Sequence, residues 1–404
     1  MVAGLVTGKS IVNPDQKLTG QGINVISGKA TGVDSGEKTV HLSDGRSIRY
    51  DKLVLATGAK PFIPSIEGRV LEGVFTLRSL EDAETIRQFL KDGKPKRIIF
   101  IGAGFISLEI ASLLTSIAPE KYDLSVIELL DRPLPLMLDT DLGNIITEYF
   151  EEKGIRMLMG QRVNKILGQD GRVSGVKLEA GQSITADMVF VNVGVRPNID
   201  LAINIGLDIG QYGIKVNKYQ ETSFPDILAC GDCVEKQHFV TKKPTGGQLR
   251  GPAVIQGRVA ARRLAGYDIE FPGVLNSGSC YIFEKAIAST GLTEDQAGKE
   301  GYRTVSATVD SRSQHGMIPG YKPWTLKLVF DRDTRKLIGG QIISDAKSPA
   351  KEIDTISALI LGEKTIADIS TFMVASNPDV ASEPSMEPIA IAAEQALQNL
   401  RGSE

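Results

Sequence analysis

The sequence predicts an α/β fold with two Rossmann-like domains, followed by a C-terminal α+β domain. Three observations lead to this fold class. An apolar run enters a glycine turn at Gly102, two segments of the first 200 residues repeat the same design, and short strands followed by helices begin near Gly273. The chain has 404 residues, which is enough for two or three domains with their own cores.

The glycine turn lies between a strand pattern and a helix pattern. Residues 97–101 form an apolar run typical of a buried parallel strand, and the run 110–114 favours a helix. This context makes the glycine pattern a dinucleotide fingerprint. Gly102 permits the tight turn, and Gly104 lets the backbone approach a pyrophosphate.

The start of the following helix supplies the rest of this candidate site. Its first amides, at Phe105 and Ile106, are expected to face the phosphate charge. Ser107 takes the third fingerprint position and is small enough for close helix–strand packing. Two other interpretations are a Rossmann-like unit without a nucleotide and a membrane span over residues 98–117. Glu109 in the middle of that run argues against the span.

An acidic residue ends the next predicted strand. Residues 123–128 end in Glu128, which lies 26 residues after Gly102 (128 − 102). A carboxylate there accepts hydrogen bonds from both hydroxyls of an adenine ribose and repels a 2′-phosphate. We therefore expect NADH to be favoured over NADPH. Arg132 is near enough in sequence to weaken that preference.

Composition excludes some classes of partner. The chain is 42% hydrophobic and 24% charged, as in ordinary water-soluble domains, and its net charge of −3 gives no reason to expect nucleic acid or an anionic membrane. The N-terminus lacks the pattern of a signal peptide. Three cysteines do not make a disulfide framework, so we expect a reducing, cytoplasmic location.

An internal repeat indicates two nucleotide-binding domains. Apolar and polar residues alternate over 38–48 around an Asp-Gly turn, and this segment leads into a strand that ends at Gly58. Residues 176–184 likewise lead into a strand that ends at Gly194. Gly102 precedes Gly194 by 92 residues (194 − 102), whereas only 57 residues precede Gly58. We therefore expect the first domain's own glycine turn to lie upstream of Met1, so that this domain is incomplete.

These motifs, in this order, resemble the pyridine nucleotide-disulfide oxidoreductases across essentially the whole chain. The segments that carry the resemblance are 56–58, 102–109 with Glu128, 194–197, and 224–232. Residues 288–294 and 337–343 look most like the branch of coenzyme A disulfide reductases, NADH oxidases and NADH peroxidases. The family has an FAD domain, an inserted NAD(P)H domain and a dimerisation domain. The resemblance implies an FAD domain over 1–78 and 200–272, an NAD(P)H domain over 79–199, and a dimerisation domain over 273–404.

The resemblance also implies residues that bind FAD. Asp232, after Gly231, is similar to the aspartate that hydrogen-bonds the ribityl chain. A helix over 248–264, which starts at Gln248 and Leu249, would direct its N-terminal dipole at the pyrimidine edge of the flavin.

Other residues are implied to lie beside the flavin or the nicotinamide. Ala56, Thr57 and Gly58 are expected near FAD. Gly194 and Val195 are expected to border the nicotinamide.

One candidate catalytic residue follows from the same likeness. Glu109 is similar to the helix glutamate that lies near nicotinamide and flavin in this family, and its alternative is a solvated helix residue.

The cysteines do not match the redox position of the family. Cys230 and Cys233 have C-x-x-C spacing, but Cys230 ends a predicted buried strand rather than beginning a helix. A zinc site would need two further ligands nearby, so no metal is expected. Cys280 is interpreted as a small packed residue. The redox cysteine is expected upstream of Met1.

The C-terminal pattern predicts strands and then helices. Runs 325–330 and 337–344 are expected to form a hairpin, and helices are expected over 350–361 and 387–400. By resemblance, this domain makes a two-fold homodimer; the alternative is a packing domain without an interface.

Two functions remain open on the sequence. The first is an FAD-dependent oxidoreductase that uses NADH and reduces a small acceptor, either a disulfide or persulfide or else oxygen or peroxide. The branch resemblance places disulfide-type acceptors first. The second is a truncated, non-catalytic remnant that binds NADH and dimerises but holds FAD poorly, because it lacks one phosphate-binding turn.

Overall fold

The structure is a computed structural model, and it describes residues 2, 5–375 and 377–402. It has the expected mixed α/β architecture with an antiparallel sheet in the C-terminal part. None of the helices among the described residues is long and apolar enough to cross a bilayer.

The first region contains short helices and a small meander. Its elements are α1 (Gly8–Ile11), α2 (Gln16–Thr19), β1 (Ala30–Asp34), β2 (Thr39–Leu42), β3 (Ser47–Arg49), β4 (Leu53–Leu55) and β5 (Ala59–Pro61). The Asp-Gly turn between β2 and β3 forms as predicted: Gly45 has φ +86°, and Asp44 accepts the Arg46 N–H. Within the described residues, no strand–glycine turn–helix unit precedes β4.

The second region is built on a parallel sheet. Its elements are β6 (Val74–Phe75), α3 (Leu80–Asp92), β7 (Arg97–Ile101), α4 (Phe105–Ile117), β8 (Asp123–Ile127), α5 (Thr140–Glu152), β9 (Arg156–Leu158), β10 (Val163–Gln169), β11 (Arg172–Leu178), β12 (Ser183–Thr185) and β13 (Met188–Val191). The strand order is β6-β13-β7-β8-β9, and all four pairings are parallel.

Alternating residues of β7 bury both faces of this sheet. Ile98 and Phe100 pack with residues of α3, α4 and α5, and the Phe100 ring stacks on Phe190 of β13 at 4.9 Å. Ile99 and Ile101 pack with the meander β10–β12 on the other face. This second meander matches β1–β3, as the internal repeat predicted.

The chain then returns to the first region. The elements are β14 (Val195–Pro197), α6 (Asp200–Ile205), β15 (Ile227–Ala229), β16 (Lys236–Gln237), β17 (Pro244–Thr245) and α7 (Arg250–Leu264). Strand β15 pairs in parallel with β4, and β14 pairs antiparallel with β5. These two pairings bring segments 134 to 174 residues apart into one unit (195 − 61 and 227 − 53).

The C-terminal region is a five-stranded antiparallel sheet with helices. Its elements are β18 (Gly278–Ile282), β19 (Lys285–Gly291), α8 (Glu294–Lys299), β20 (Thr304–Arg312), β21 (Pro323–Asp331), β22 (Leu337–Ser344), α9 (Glu352–Leu361), α10 (Ile366–Ser370) and α11 (Pro388–Arg401). The predicted hairpin and both predicted helices are confirmed, although the first helix begins at Glu352 after a 3₁₀ turn over 349–351.

The two faces of the C-terminal sheet have different partners. Side chains of α9, α10 and α11 share a core with one face. On the other face, Cys280, Ile282, Ile287 and Ile343 join the core that contains α4. Strand β18 therefore packs against the helix that follows the glycine turn.

Candidate functional site

The glycine turn lies at the carboxyl end of the parallel sheet. Gly102 has φ +96°, and a Cβ there would lie 2.5 Å from the Asn192 carbonyl oxygen, so only glycine fits. Over Gly104, by contrast, no described atom outside its chain neighbours lies within 4 Å of a Cβ position. The turn is therefore tight on its protein side and open on the other side, where a pyrophosphate would approach.

The first turn of α4 fits an anion. Gly104 is the N-cap residue and offers no side-chain acceptor, so the first helix amides, including those of Phe105 and Ile106, are left for a ligand. Ser107 is fully buried and its hydroxyl is 3.3 Å from Asn192 Nδ2. It serves helix packing, as the sequence predicted for this small residue.

Glu128 follows β8 and reaches back to the glycine turn. Its Oε2 accepts the Ala103 N–H at 2.8 Å, and its Oε1 accepts the Leu130 N–H at 3.0 Å. The carboxylate is half-buried. It therefore stands where an acceptor for ribose hydroxyls is expected in such a turn.

Arg132 does not lie free beside Glu128. Its side chain is buried, its Nε donates to the Leu138 carbonyl at 2.8 Å, and its guanidinium pairs with Asp131 and Asp295. The expectation that Arg132 weakens the preference for NADH is therefore corrected: its donors are engaged within the protein.

A second glycine lies beside the first. Strands β7 and β13 pair in parallel up to Ile101 and Val191, so Gly102 and Gly194 follow neighbouring strand ends. Gly194 has φ +115°, with open space at its Cβ position, and its carbonyl accepts the Phe62 N–H. Val195 begins β14 and is half-buried.

Asp232 lies in the 3₁₀ turn over 231–233, directly after β15. Gly231 has φ +85° and permits this turn. The Oδ2 atom of Asp232 pairs with Arg78 Nη2 at 2.6 Å. Its Oδ1 atom is buried and has no hydrogen-bond partner among the described residues. A buried carboxylate oxygen that lacks a donor fits the ribityl hydroxyl that FAD would bring.

Thr57 and Gly58 are held by a residue that sequence reasoning missed. Asn198 donates from Nδ2 to the Thr57 carbonyl at 2.9 Å, and the Thr57 hydroxyl donates to the Asn198 carbonyl at 2.6 Å. Gly58 has φ +68° and open space at its Cβ position, whereas Ala56 is exposed. The only sequence signal for Asn198 was its place just after the second glycine motif.

Helix α7 begins two residues later than predicted. Leu249 is extended (φ −128°, ψ 149°) and is the N-cap, so Gln248 and Leu249 precede the helix rather than start it. The cause is Gly247, whose φ of +55° turns the chain just before it. Gln256 of α7 accepts the Gly231 N–H at 3.1 Å, which packs the helix onto the Asp232 turn.

Glu109 borders an apolar cavity. The cavity has a volume of about 480 Å³ and is lined by residues of α3 and α4, by Arg78 and its neighbours, and by the N-terminal residues Val2, Ile11 and Val12. Burial raises the pKa of Glu109, and the Tyr281 N–H partly opposes this rise. A half-buried carboxyl of this kind can hold or release a proton nearer neutral pH than a solvated glutamate.

The three cysteines are buried and form no disulfide. Burial raises the pKa of Cys230, and burial and Glu109 together raise the pKa of Cys280 to about 12. The Cys233 thiol donates to the Cys230 carbonyl oxygen at 3.2 Å. Because thiolates are the reactive form, the raised pKa values of Cys230 and Cys280 suit these two thiols to packing rather than to redox chemistry.

Known proteins resemble this chain along most of its length. A NADH oxidase of Methanocaldococcus jannaschii is 36% identical over 353 residues, which cover 87% of this chain and 77% of that protein. An NAD(P)H sulfur oxidoreductase (CoA-dependent) of Pyrococcus abyssi is 32% identical over 94% of this chain and 84% of that protein. The solved structure of an NAD-dependent persulfide reductase from A. fulgidus matches with a TM-score of 0.92 and 33% sequence identity. The match covers 99% of this chain and 75% of that chain.

Family patterns agree with these relatives. Residues 5–257 match the pyridine nucleotide-disulphide oxidoreductases, and residues 278–386 match the dimerisation domain of the same family. The first match covers the glycine turn, Glu109, Glu128 and the Asp232 turn. The chain belongs to the pyridine nucleotide-disulphide oxidoreductase family.

Proposed function

We propose that this chain uses NADH and FAD to reduce a small disulfide or persulfide. The first part of this statement is confirmed by the relatives, which include NADH oxidases and CoA-dependent sulfur reductases. The chain is thus an NADH-dependent flavoprotein oxidoreductase. The acceptor and the role of each residue are the proposal.

One side chain links the two halves of the candidate site, and this observation carries the proposal. Arg78 lines the cavity that Glu109 borders on α4, and it also pairs with Asp232 at 2.6 Å. Helix α4 belongs to the glycine turn that fits NADH, whereas Asp232 belongs to the turn that fits FAD. The two cofactor sites therefore adjoin, as hydride transfer between them requires.

The residues have separate tasks. FAD, when bound, supplies two-electron chemistry between NADH and the acceptor. Asp232 would accept a hydrogen bond from FAD through its free Oδ1 atom, and the N-terminus of α7 would place positive potential beside the flavin. Thr57 and Gly58 give the cofactor an open backbone surface. Glu109 places a half-buried carboxyl, whose pKa is raised by burial, at the cavity between the two cofactor sites.

The NADH part of the site selects by charge. The first turn of α4 would hold the pyrophosphate, and Glu128, which accepts the Ala103 N–H, would also accept the ribose hydroxyls. The Glu128 carboxylate would repel a 2′-phosphate. Arg132 does not offset this repulsion, because it is paired with Asp131 and Asp295. NADH is therefore preferred over NADPH.

The relatives support two classes of acceptor. A persulfide reductase and CoA-dependent sulfur reductases are 31–33% identical to this chain, which favours a disulfide or persulfide. The 36% identical NADH oxidase supports oxygen or peroxide as the second candidate. We place the sulfur acceptor first because the structural neighbour with a TM-score of 0.92 is a persulfide reductase.

The dimerisation domain supports a homodimer as the working assembly. The three free, buried cysteines suit a reducing compartment such as the cytoplasm.

Turnover with and without oxygen distinguishes the acceptors. The purified chain, supplied with FAD, is mixed with NADH and either coenzyme A persulfide, coenzyme A disulfide, hydrogen peroxide or air, and loss of NADH is followed. We expect faster loss with the persulfide or disulfide under nitrogen than with air. Loss of NADH only with air or peroxide would replace the first acceptor by the second.

The remnant hypothesis has a separate test. Val54 of the two-stranded sheet β4–β15 is 37% exposed, which is the observation that favours an unfinished FAD region. Titration with FAD decides between the two: saturable binding supports the enzyme, and NADH binding without FAD binding supports the remnant.

A further inference from the structure

Lys236 is a buried cation beside the Asp232 turn that sequence analysis did not single out. It begins β16, and only 4% of its surface is exposed. Its Nζ donates to the carbonyl oxygens of Gly231 at 2.9 Å, Val234 at 3.2 Å and Gly246 at 3.0 Å. An ammonium group has three N–H donors and no acceptor, so the three carbonyls fit its charged form.

These three carbonyls belong to two segments of the proposed FAD site. Gly231 and Val234 flank Asp232, and Gly246 precedes the turn that leads into α7. Lys236 therefore fixes the position of the Asp232 turn relative to the start of α7. These are the features that we assign to the ribityl chain and to the pyrimidine edge of FAD.

The packing around the Lys236 side chain leaves little room for movement. A Cβ at Gly247 would lie 3.5 Å from Lys236 Cδ and 2.8 Å from Asn276 Oδ1. The Oδ1 atom of Asn276 is also buried without a partner among the described residues. The lysine stem is thus buried beside Gly247 rather than extended to solvent.

The charge of Lys236 lacks a direct counter-ion among the described residues. Its ammonium makes no ion pair within 4.0 Å. Among nearby charges, the Asp232 carboxylate attracts it most strongly, but that carboxylate is already paired with Arg78. Burial lowers the pKa of Lys236, because a buried charge loses its hydration. Two basic side chains, Arg78 and Lys236, thus lie near the Asp232 carboxylate, where they can attract an anionic cofactor.

We propose that Lys236 is a positioning residue of the FAD site, which ties the Asp232 turn to the start of α7 and stabilises the reduced, more negative form of the cofactor by its charge. The inference rests on the proposed assignment of Asp232 and α7 to FAD. It goes beyond that assignment because it predicts a cation, not only a hydrogen-bonded turn, as part of the site.

The test measures FAD affinity and reduction potential in Lys236→Met, which keeps the apolar stem but removes the ammonium. FAD binding is followed by fluorescence titration, and the potential by equilibration with a reference dye under nitrogen. We expect oxidised FAD to bind at least tenfold more weakly. We expect the affinity for reduced FAD to fall by a further factor of ten. This difference lowers the reduction potential of the bound FAD by about 30 mV for a two-electron couple.

Matched variants separate charge from packing. Lys243→Met removes an exposed lysine near the same strands, which pairs with Glu300, and it should leave both quantities unchanged. Lys236→Gln keeps hydrogen-bond donors without charge, so it should lower the potential even where the Met variant folds poorly. Unchanged potential in both Lys236 variants, or unchanged FAD affinity, would overturn the proposal.

Asp232→Ala distinguishes this failure from failure of the proposed function. If Asp232→Ala loses FAD while the Lys236 variants behave as the unaltered chain, only the role of Lys236 is wrong. If Asp232→Ala binds FAD as the unaltered chain does, the FAD site itself is misassigned and the inference falls with it.

Discussion

Removal of the Glu128 carboxylate tests the coenzyme site. The carboxylate accepts the N–H groups of Ala103 and Leu130 at 2.8 and 3.0 Å, and we assign the ribose hydroxyls to it. A hydrogen bond to a charged group contributes about 1.5–3 kcal/mol. Glu128→Ala should therefore weaken NADH binding by about 2–3 kcal/mol, on the order of 30- to 150-fold.

NADPH should lose much less affinity than NADH in this variant. The substitution also removes the repulsion between the carboxylate and the 2′-phosphate, which offsets part of the loss. The ratio of NADH to NADPH affinity should thus fall at least about tenfold, a difference of about 1.4 kcal/mol. Fluorescence titration of both coenzymes, without an acceptor, measures the two dissociation constants directly.

A matched acidic residue provides the control for this prediction. Glu148 is exposed on α5 of the same region, so Glu148→Ala should change neither dissociation constant. An unchanged NADH-to-NADPH ratio in Glu128→Ala would refute the assignment of that residue. Glu128→Arg gives a second check, since a cation there should move the preference toward NADPH.

Three further predictions concern the turn residues and the stability of the fold. Asp232→Ala should abolish FAD retention, measured by the flavin absorbance of the purified chain; full retention would remove Asp232 from the site. Gly102→Ala places a Cβ 2.5 Å from the Asn192 carbonyl oxygen at a residue with φ +96°. It should therefore lower the free energy of unfolding by about 1–3 kcal/mol and weaken NADH binding, and an unchanged melting temperature would contradict this. Arg97 lowers the pKa of Asp187 from 3.8 to about 2, so this pair stabilises the fold above pH 3.8 and the stabilisation is lost as the pH falls toward 2. Asp187→Asn should flatten the pH dependence of the free energy of unfolding between these pH values.

Local patterns predicted the elements that position the site. The apolar run over 97–101 and the glycines after it predicted the strand, the turn and the helix α4. The internal repeat predicted two similar meanders, and the alternation around 325–344 predicted the C-terminal hairpin. These features depend on neighbours in sequence, so periodicity and turn chemistry were sufficient to find them.

Contacts between distant segments could not be predicted in the same way. Arg78 reaches Asp232 across 154 positions of sequence, and Asn198 reaches Thr57 across 141. No periodicity marks such pairs. Lys236 also gave no signal, because its three acceptors are backbone carbonyls, which every residue carries. Arg132 was misjudged because its partner Asp295 lies in the C-terminal region.

The packing between regions was equally hidden from the sequence. Lys327 of β21 is buried and forms ion pairs with Asp139, Asp141 and Glu294, and Gln341 hydrogen-bonds Asp139. These contacts join the parallel-sheet region to the C-terminal sheet. A charged residue within an apolar strand shows only that a partner is needed, not which segment provides it.

The visible absorption spectrum of the purified chain with FAD, before and after anaerobic addition of NADH, shows whether this chain binds FAD and passes electrons to it from NADH. We expect an oxidised-flavin band that remains with the protein after gel filtration and bleaches when NADH is added. A protein that stays colourless after incubation with FAD, or a flavin band that NADH leaves unchanged, would contradict it.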